Sequence, residues 1–595
     1  MPESLALLFS QQFLMRALVV GILISLCCAL LGVSLVLKRF SMIGDGLSHV
    51  GFGALAIACA ANVAPLYFSI PIVVVAAFLL LRMNERGKIK GDSAIALIST
   101  GSLAIGIMVT SMTSGMNVDI YNYMFGSILT MSRGDVVLSV ILSVAVIVLF
   151  VVFYDEIFSV TFDESFAKAT GTNVSLYNML IAALTAVTIV VGMRMMGALL
   201  ISSLIIFPSV TSMRVCKSFK NVVMTSVAVS VICFFSGLVV SIRFEAPTGA
   251  SIVCVNILML AAFSLLGYII NLSEKSKLFK VKKLLAAAVA VLTVLGLLVP
   301  LFGDVKLTDK ASISIVTTSF APYDFLRQIC GDRAEVTMLL SPGEESHTFE
   351  PTPNDIMMIE NCDVFVYGGG ESDEWVDKIL SSIDTSKMKT VKMMDTVSLK
   401  KEELLEGMEA EEEDDEDDEY DEHVWTSPLN AIKIVEAITS SVCDADSSNS
   451  SYYLGNSEKY IEQLQKLNES FENLSETANG KSFIVADRFP FKYFADEYGL
   501  KFYAAFPGCS AQVEANPKTI AFLNKKANAE KINTVFKVDL STGTVANAMS
   551  EATGTKVETL YSCHVVSAEQ FKNGETYISL MRHNEEVLRS ALSSL

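Results

Sequence analysis

Residues 451–477 read SYYLGNSEKYIEQLQKLNESFENLSET, a stretch without proline whose single glycine, Gly455, stands near its start. Ile461, Leu464, Leu467, Phe471 and Leu474 recur in three- and four-residue steps, the spacing of one helix face. Short β-rich runs lie on both sides. SISIVTTS (312–319), DVFVYGG (363–369) and KTVKMMD (389–395) precede it, and SFIVA (482–486), KFYAAF (501–506), NTVFKV (533–538) and KVETLYS (556–562) follow. Strand-like runs alternating with helical stretches predict parallel sheets. The expectation is a two-lobed α/β domain whose lobes are joined by 451–477 as one long backbone helix.

Outside that domain the chain changes character. It has 595 residues, a mean hydropathy of +0.48 and 52% hydrophobic residues, yet carries a net charge of −19. These figures reconcile when the chain is divided near residue 305, because long apolar runs precede that point and the acidic excess follows it. An acidic surface disfavours nucleic acid and suits cations. Runs long enough for a bilayer fall near 16–37, 41–63, 65–83, 92–111, 135–155, 174–193, 197–213, 221–242 and 248–270, with a tenth near 281–303. A shorter run at 120–131 reads as re-entrant or surface-lying. Basic residues concentrate in alternate loops: Lys38 and Arg39; Arg82, Arg86, Lys88 and Lys90; Lys168; Arg214, Lys217 and Lys220; and the lysines between 275 and 283. Placing them in the cytoplasm puts the N-terminus and the acidic half outside. The expected architecture is a polytopic α-helical membrane domain of about nine spans (1–275), a linking span and tether (276–306), and the α/β domain (307–595). No cleavable signal peptide is read, and the scattered cysteines outside the apolar segments suggest no disulfide framework.

Four loops of the α/β half offer metal ligands at predicted strand ends or helix starts. His347 lies in SPGEESHTFEPTPNDI, His423 in DEHVWTSPLNAIKIVEAI, Asp487 closes SFIVAD, and His564 closes KVETLYSCH. Ligands of open α/β sheets bind beyond the carboxyl ends of the strands, so these loops can meet in one cleft. Imidazoles with a carboxylate or thiolate suit a first-row divalent metal, histidine favouring zinc and added oxygen favouring manganese. Cys509 and Cys563 are alternative ligands, and His583, inside ISLMRHNEEVL, reads as an ordinary surface residue. In the apolar half, Asp45 and His49 of GDGLSHVGFG stand four residues apart on one helix face. Ionisable groups within a span usually face a cavity or a partner, which makes this pair a candidate ion pathway.

Residues 311–595 resemble the zinc/manganese class of ABC solute-binding proteins, on HTFEPTPND, the acidic loop leading into DEHVWTSP, KYFADEYGL and GETYISLMRHNEEVL. The resemblance implies two lobes joined by a rigid helix and places His347 and His423 as the first two ligands. The family's third histidine is replaced here by Arg488 in ADRFPFKYF, a residue that stays protonated, and near the fourth ligand stand Cys563 and His564. Residues 1–275 resemble the matching permeases, on GDGLSHVGFGALAIA, FDESFAKATG, MGALLISSLIIFPS and EAPTGASIVCVNILML in that order. That resemblance implies a permease homodimer in membrane lipid, driven by a separate cytoplasmic ATPase dimer. It also implies that Phe162, Asp163, Glu164, Phe166, Ala167 and Gly171 form the segment that couples to the ATPase. No ATPase is read in the chain itself: SETANGKS (475–482) lacks the first glycine of a phosphate loop.

The expected function is the membrane subunit of an ABC importer for a divalent transition metal with a fused capture domain. It is a transport subunit and not an enzyme. Zn2+ is the expected substrate, with Mn2+ (or iron) as the alternative, and a non-transporting membrane-anchored sensor or buffer as the further one. Nine consecutive carboxylates, EEEDDEDDE at 411–419, are expected to repel one another and stay unstructured.

Overall fold

In lipid a backbone must satisfy its hydrogen bonds internally, as an α-helix does within one segment, and the described first half of the chain is built of helices. The computed structural model describes residues 11–593 except 41, 62, 64, 86–90, 113–127, 132, 245, 274–312, 345–348, 403–419, 479 and 509–516. The helices are α1 (Gln12–Leu37), α2 (Ile43–Ala60), α3 (Pro65–Glu85), α4 (Gly91–Met112), α5 (Arg133–Val152), α6 (Tyr154–Phe162), α7 (Glu164–Ala169), α8 (Val174–Met196), α9 (Ala198–Met213), α10 (Phe219–Phe244) and α11 (Thr248–Ser273). One compact unit is formed from residues up to Leu307, and a second takes nearly all of Thr308–Leu595.

Four helices (Gln12–Leu37, Val174–Met193, Phe219–Phe244 and Thr248–Ile270) are long and apolar enough to cross a membrane. A fifth is added if Val136–Val152 and Tyr154–Phe162, bent by 72°, count as one span. Ile43–Ala58, Phe68–Leu80, Ser93–Val109 and Ala198–Met213 are apolar but shorter. Length and composition therefore support four or five spans among the described residues, short of the nine expected. The reason is visible in the sequence: Asp45 and His49 interrupt one run, and Gly197 separates α8 from α9. The expected tenth span and most of the 120–131 run lie outside the described residues. The helices approach closely where a side chain is missing: a Cβ at Gly53 of α2 would lie 2.6 Å from the Ser102 carbonyl oxygen of α4.

The second unit is α/β. Its first sheet contains β1 (Ile313–Thr317), β2 (Ala334–Met338), β3 (Val364–Tyr367) and β4 (Lys389–Lys392), all parallel, in the order β2-β1-β3-β4. Between these strands run α12 (Phe320–Cys330), α13 (Pro353–Asn361) and α14 (Glu374–Leu380). Helix α15 (Pro428–Ala445) then leads into α16 (Ser450–Ala478). The second sheet repeats the first: β5 (Ser482–Val485), α17 (Lys492–Glu497), β6 (Lys501–Ala504), α18 (Pro517–Ala529), β7 (Thr534–Val538), α19 (Thr544–Thr553) and β8 (Lys556–Leu560), in the parallel order β6-β5-β7-β8. Two helices follow β8, the short α20 (Ala568–Lys572) and the longer α21 (Tyr577–Ser593).

Helix α16 is the predicted backbone helix, 29 residues long, or about 43 Å at 1.5 Å per residue. It buries Tyr453, Ser457, Tyr460, Leu464, Leu467, Phe471 and Leu474 along one face. One continuous core runs along that face, from Phe325, Val364 and Val366 of the first lobe to Phe483, Phe494 and Phe536 of the second. Each sheet switches direction beside its first strand; the loops after β3, β5 and β7 bring Ser372, Asp487 and Asp539 to the site below, whereas Glu422 and His423 precede α15 and His564 follows β8.

Candidate metal centre

Three buried side chains converge between the sheets: Glu422, His423 and His564 place one possible ligand atom each within 4.8 Å of one another. Tetrahedral zinc, with bonds of about 2.05 Å, holds its ligands about 3.3 Å apart. Small side-chain movements therefore close this cluster around an ion.

Local structure explains why His423 stands where it does. Its carbonyl accepts hydrogen bonds from Thr426 N at 3.1 Å and Thr426 Oγ1 at 2.8 Å, forming a tight turn. Helix α15 begins at once behind it, with Ser427 capping Asn430 N and Pro428 in the first turn. The His423 backbone N–H donates to Asp421 Oδ1 at 2.7 Å, and the same oxygen lies 3.2 Å from Nδ1. A carboxylate on Nδ1 leaves Nε2 as the metal-binding nitrogen. Asp421 is itself held, its carbonyl accepting from the Tyr493 hydroxyl at 2.9 Å. Burial lowers the proton affinity of His423, but Asp421 and Glu422 outweigh it and the net shift is upward.

Glu422 is locked from the first lobe. Ser372 donates to it through its backbone N–H at 2.8 Å and through its hydroxyl. Gly370, at φ 84°, lets the chain pass close, since a Cβ there would sit 2.7 Å from Glu422 Oε2. Behind it, Asp373 Oδ2 accepts from Gly368 N, Gly369 N and Thr318 Oγ1 at 2.7–3.2 Å. Burial and then the Glu422 charge push Asp373 up to about 7, and burial raises Glu422 as well.

His564 reaches the cluster through a sharp backbone reversal. Cys563 lies at φ 60°, the left-handed region that non-glycine residues rarely occupy. The turn sends successive side chains to opposite sides. The Cys563 thiol belongs to the hydrophobic core, where burial raises its pKa well above the ordinary thiol range, while His564 lines the cavity. The His564 carbonyl accepts from Phe320 N at 3.0 Å, and its ring lies 4.9 Å from the Trp425 ring. Trp425 Nε1 in turn donates to the Ser562 carbonyl at 2.9 Å.

His423 and His564 border a cavity of about 290 Å³ that Asp487, Arg488 and Asp539 also line. Asp487 follows β5 and accepts from Arg488 N at 3.0 Å. Asp539 follows β7 and accepts from Ser562 N at 2.7 Å and Ser562 Oγ at 3.1 Å. Burial pushes Asp539 up to about 6. The structure thus brings His423 and His564 together, sets Asp487 at the same cavity, and turns Cys563 into the core. His347, Cys509 and the acidic run 411–419 lie outside the described residues. Sequence reasoning missed Glu422, Asp421 and Asp539. Glu422 and Asp421 were hidden by the acidic run before them, whereas Asp539 closes NTVFKVD as Asp487 closes SFIVAD and was open to the same strand-end reading.

In the helical unit, His49 Nε2 and Asp45 Oδ1 on α2 are 3.7 Å apart. His49 Nδ1 is buried without a hydrogen-bond partner among the described residues. Along 162–171, Asp163 caps α7 by accepting from Ser165 N and Phe166 N, Phe162 and Phe166 are exposed, Ala167 is buried, and Gly171 has φ 91°.

Comparison with known proteins finds two family models in succession. Residues 10–266 match the ABC 3 transport family, and 315–591 match the zinc-uptake complex component A, periplasmic. The high-affinity zinc uptake system protein ZnuA of Bacillus subtilis is 33% identical over 286 residues, 47% of this chain and 88% of that protein. The zinc-binding lipoprotein AdcA of Streptococcus pneumoniae is 33% identical over 278 residues, 47% of this chain and 55% of that one. The chain therefore spans about half the length of AdcA. A crystal structure of the Zn(II)-bound ZnuA-like domain of Streptococcus pneumoniae AdcA is 32% identical and covers 48% of this chain and 100% of that one, with a TM-score of 0.40. The chain belongs to the zinc-uptake ZnuA family over its C-terminal half, behind an N-terminal half that matches the ABC 3 transport family.

Proposed function

We propose that this protein is the membrane subunit of an ABC importer that takes up zinc, with its own extracytoplasmic capture domain attached. The observation that carries the reading is the buried Glu422, His423 and His564 cluster beyond the carboxyl ends of two parallel sheets. Two imidazoles and one carboxylate, with His347 as the fourth ligand supplied by the first lobe, form a donor set suited to zinc. The zinc-related names of the relatives that match this half point the same way. Manganese is the second reading, favoured by the oxygen donor Glu422 in the cluster and by Asp487 and Asp539, which line the cavity beside His423 and His564.

In this reading the domain captures the ion outside and delivers it to the helical unit. Nine spans, two copies of the permease and a separate ATPase pair would complete the importer. Asp45 and His49 hold the ion transiently on its way, one carboxylate and one imidazole being enough to bind a divalent cation and let it go. The exposed Phe162 and Phe166 on the capped segment 162–171 meet the ATPase.

The test is a zinc titration of the purified full chain against a competing chelator. Both tryptophans, Trp375 and Trp425, belong to the α/β half, and Trp425 lies against His423 and His564, so tryptophan fluorescence in the intact protein reports that half. His423→Ala and His564→Ala should each weaken zinc by orders of magnitude, and His583→Ala should leave it unchanged. Equal affinity in all of these variants would sink the assignment.

A further inference from the structure

Lys38 is a basic residue at the end of a long apolar helix, where a solvated side chain would be expected. Its side chain is instead only 8% exposed. Lys38 Nζ donates to Glu164 Oε1 at 2.7 Å and to Asn178 Oδ1 at 2.6 Å, and Asn178 Nδ2 donates to the same Glu164 oxygen at 3.2 Å. Three elements distant in sequence are closed into one triangle: the end of α1, the first residue of α7 and the first turns of α8.

Each corner leads somewhere. Glu164 follows Asp163, whose carboxylate fixes the start of α7 through Ser165 N and Phe166 N at 2.9 and 3.0 Å. That segment exposes Phe162 and Phe166, 76% and 64% accessible. Lys38 leads the other way, into the turn joining α1 to α2. At its start Lys38 N bonds Ser34 O, Arg39 N bonds Val36 O, and Phe40 N bonds Leu35 O, all at 2.8–3.1 Å. Ile43 N then bonds Phe40 O at 3.1 Å, and Gly46 N bonds Met42 O at 2.9 Å. Phe40, Ile43 and Leu47 are buried, and Arg39 is held at φ 62°, in the left-handed region. The next residues on this continuous path are Asp45 and His49.

We infer that Lys38, through Glu164 and Asn178, is the positioning residue that transmits movement of the 162–171 segment to the α1–α2 turn, and so to Asp45 and His49. The inference rests on the importer reading above and adds a specific route to it. A partly buried ion pair with a third hydrogen-bonded partner resists being pulled apart, whereas packing alone would let α7 slide against α1. Displacing α7 therefore drags the end of α1, and the hydrogen-bonded turn carries the displacement into α2. Coupling of this kind needs a connection that both sites bias. The triangle and the turn supply one.

The experiment uses the full chain assembled with its ATPase in vesicles, measuring zinc uptake and ATP hydrolysis in the same sample. In Lys38→Met the zinc moved per ATP should fall about tenfold, the size of an ordinary coupling free energy, while the complex still assembles and hydrolyses ATP. Lys38→Arg, which can still reach both acceptors, should restore the ratio, as should the exchange Lys38→Glu with Glu164→Lys, because the Asn178 amide can turn over. An unchanged ratio in Lys38→Met overturns the inference. So does equal loss of uptake and hydrolysis, which would make the triangle a brace for docking only. If Lys38→Met fails to assemble, Glu164→Gln, which keeps the side-chain shape and removes one charge, should lower the same ratio, and a wild-type ratio there overturns the inference. A wild-type complex that hydrolyses ATP and moves no zinc overturns the importer reading itself, a failure told apart because it precedes any substitution.

Discussion

At the scale of residues, the proposed metal centre would depend as much on what holds Glu422, His423 and His564 as on those side chains themselves. Asp421 sits on His423 Nδ1 and on its backbone N–H, so it fixes both the tautomer and the ring. Asp421→Asn keeps the shape but loses the charge, and zinc affinity should fall by about 10–100-fold, the usual cost of losing such a support. The chelator titration measures it, and wild-type affinity would show that the contact does not matter. Asp373 acts differently, since it is a buried acid beside the Glu422 charge whose pKa is about 7 when folded against an ordinary 3.8. The folded chain therefore keeps a proton that the unfolded chain releases. The resulting stabilisation is complete below about pH 4 and is lost as pH rises through about 7. In metal-free protein the unfolding midpoint, read by tryptophan fluorescence, should decline across that window. Asp373→Asn can still accept from Gly368, Gly369 and Thr318 through its one carbonyl oxygen, so its profile should be flatter. Parallel profiles would show that Asp373 does not titrate in this range.

At the scale of elements, α16 carries the most structure per residue. Its buried face is shared by the cores of both lobes, so weakening it should weaken the lobes together. Leu464 is fully buried, and Leu464→Ala should cost about 2–5 kcal/mol through lost burial and a residual cavity. Denaturant unfolding should remain one transition at a lower midpoint. Two separated transitions would mean that the lobes are independent. The shorter helices of the apolar half make a different point. Glycine at 53 allows α2 and α4 to approach to backbone contact, an arrangement that favours tight packing over a long apolar run.

At the scale of the whole molecule, joining capture domain and permease in one chain has a kinetic consequence. In the proposed reading the linking span ends near residue 303, which leaves GDVKLTDKA (303–311) ahead of the first strand, and nine residues extend at most about 30 Å. A short link of this kind gives an effective concentration in the millimolar range, so docking needs little intrinsic affinity. Severing the link with an inserted protease site should reduce zinc uptake, and a large excess of free domain should restore it. Full uptake with only stoichiometric free domain would show that tethering is not what the fusion provides.

Periodicity is a local property, and what it governs was legible from residues alone. The 451–477 spacing announced α16 to within a residue at each end. The strand runs announced both parallel sheets, and the order of motifs announced a permease half followed by a metal-binding half. His423 and His564 were legible too, because strand ends and helix starts are written in neighbouring residues. The partnership of Glu422 with Ser372, the inward turn of Cys563 and the Lys38 triangle were not. Each depends on which distant segments meet, and that is settled by how the helices and sheets pack. A carboxylate in an acidic stretch looks like its neighbours until a serine from the loop after β3 fastens it. A lysine at a helix end looks solvated until a glutamate far along the chain folds against it.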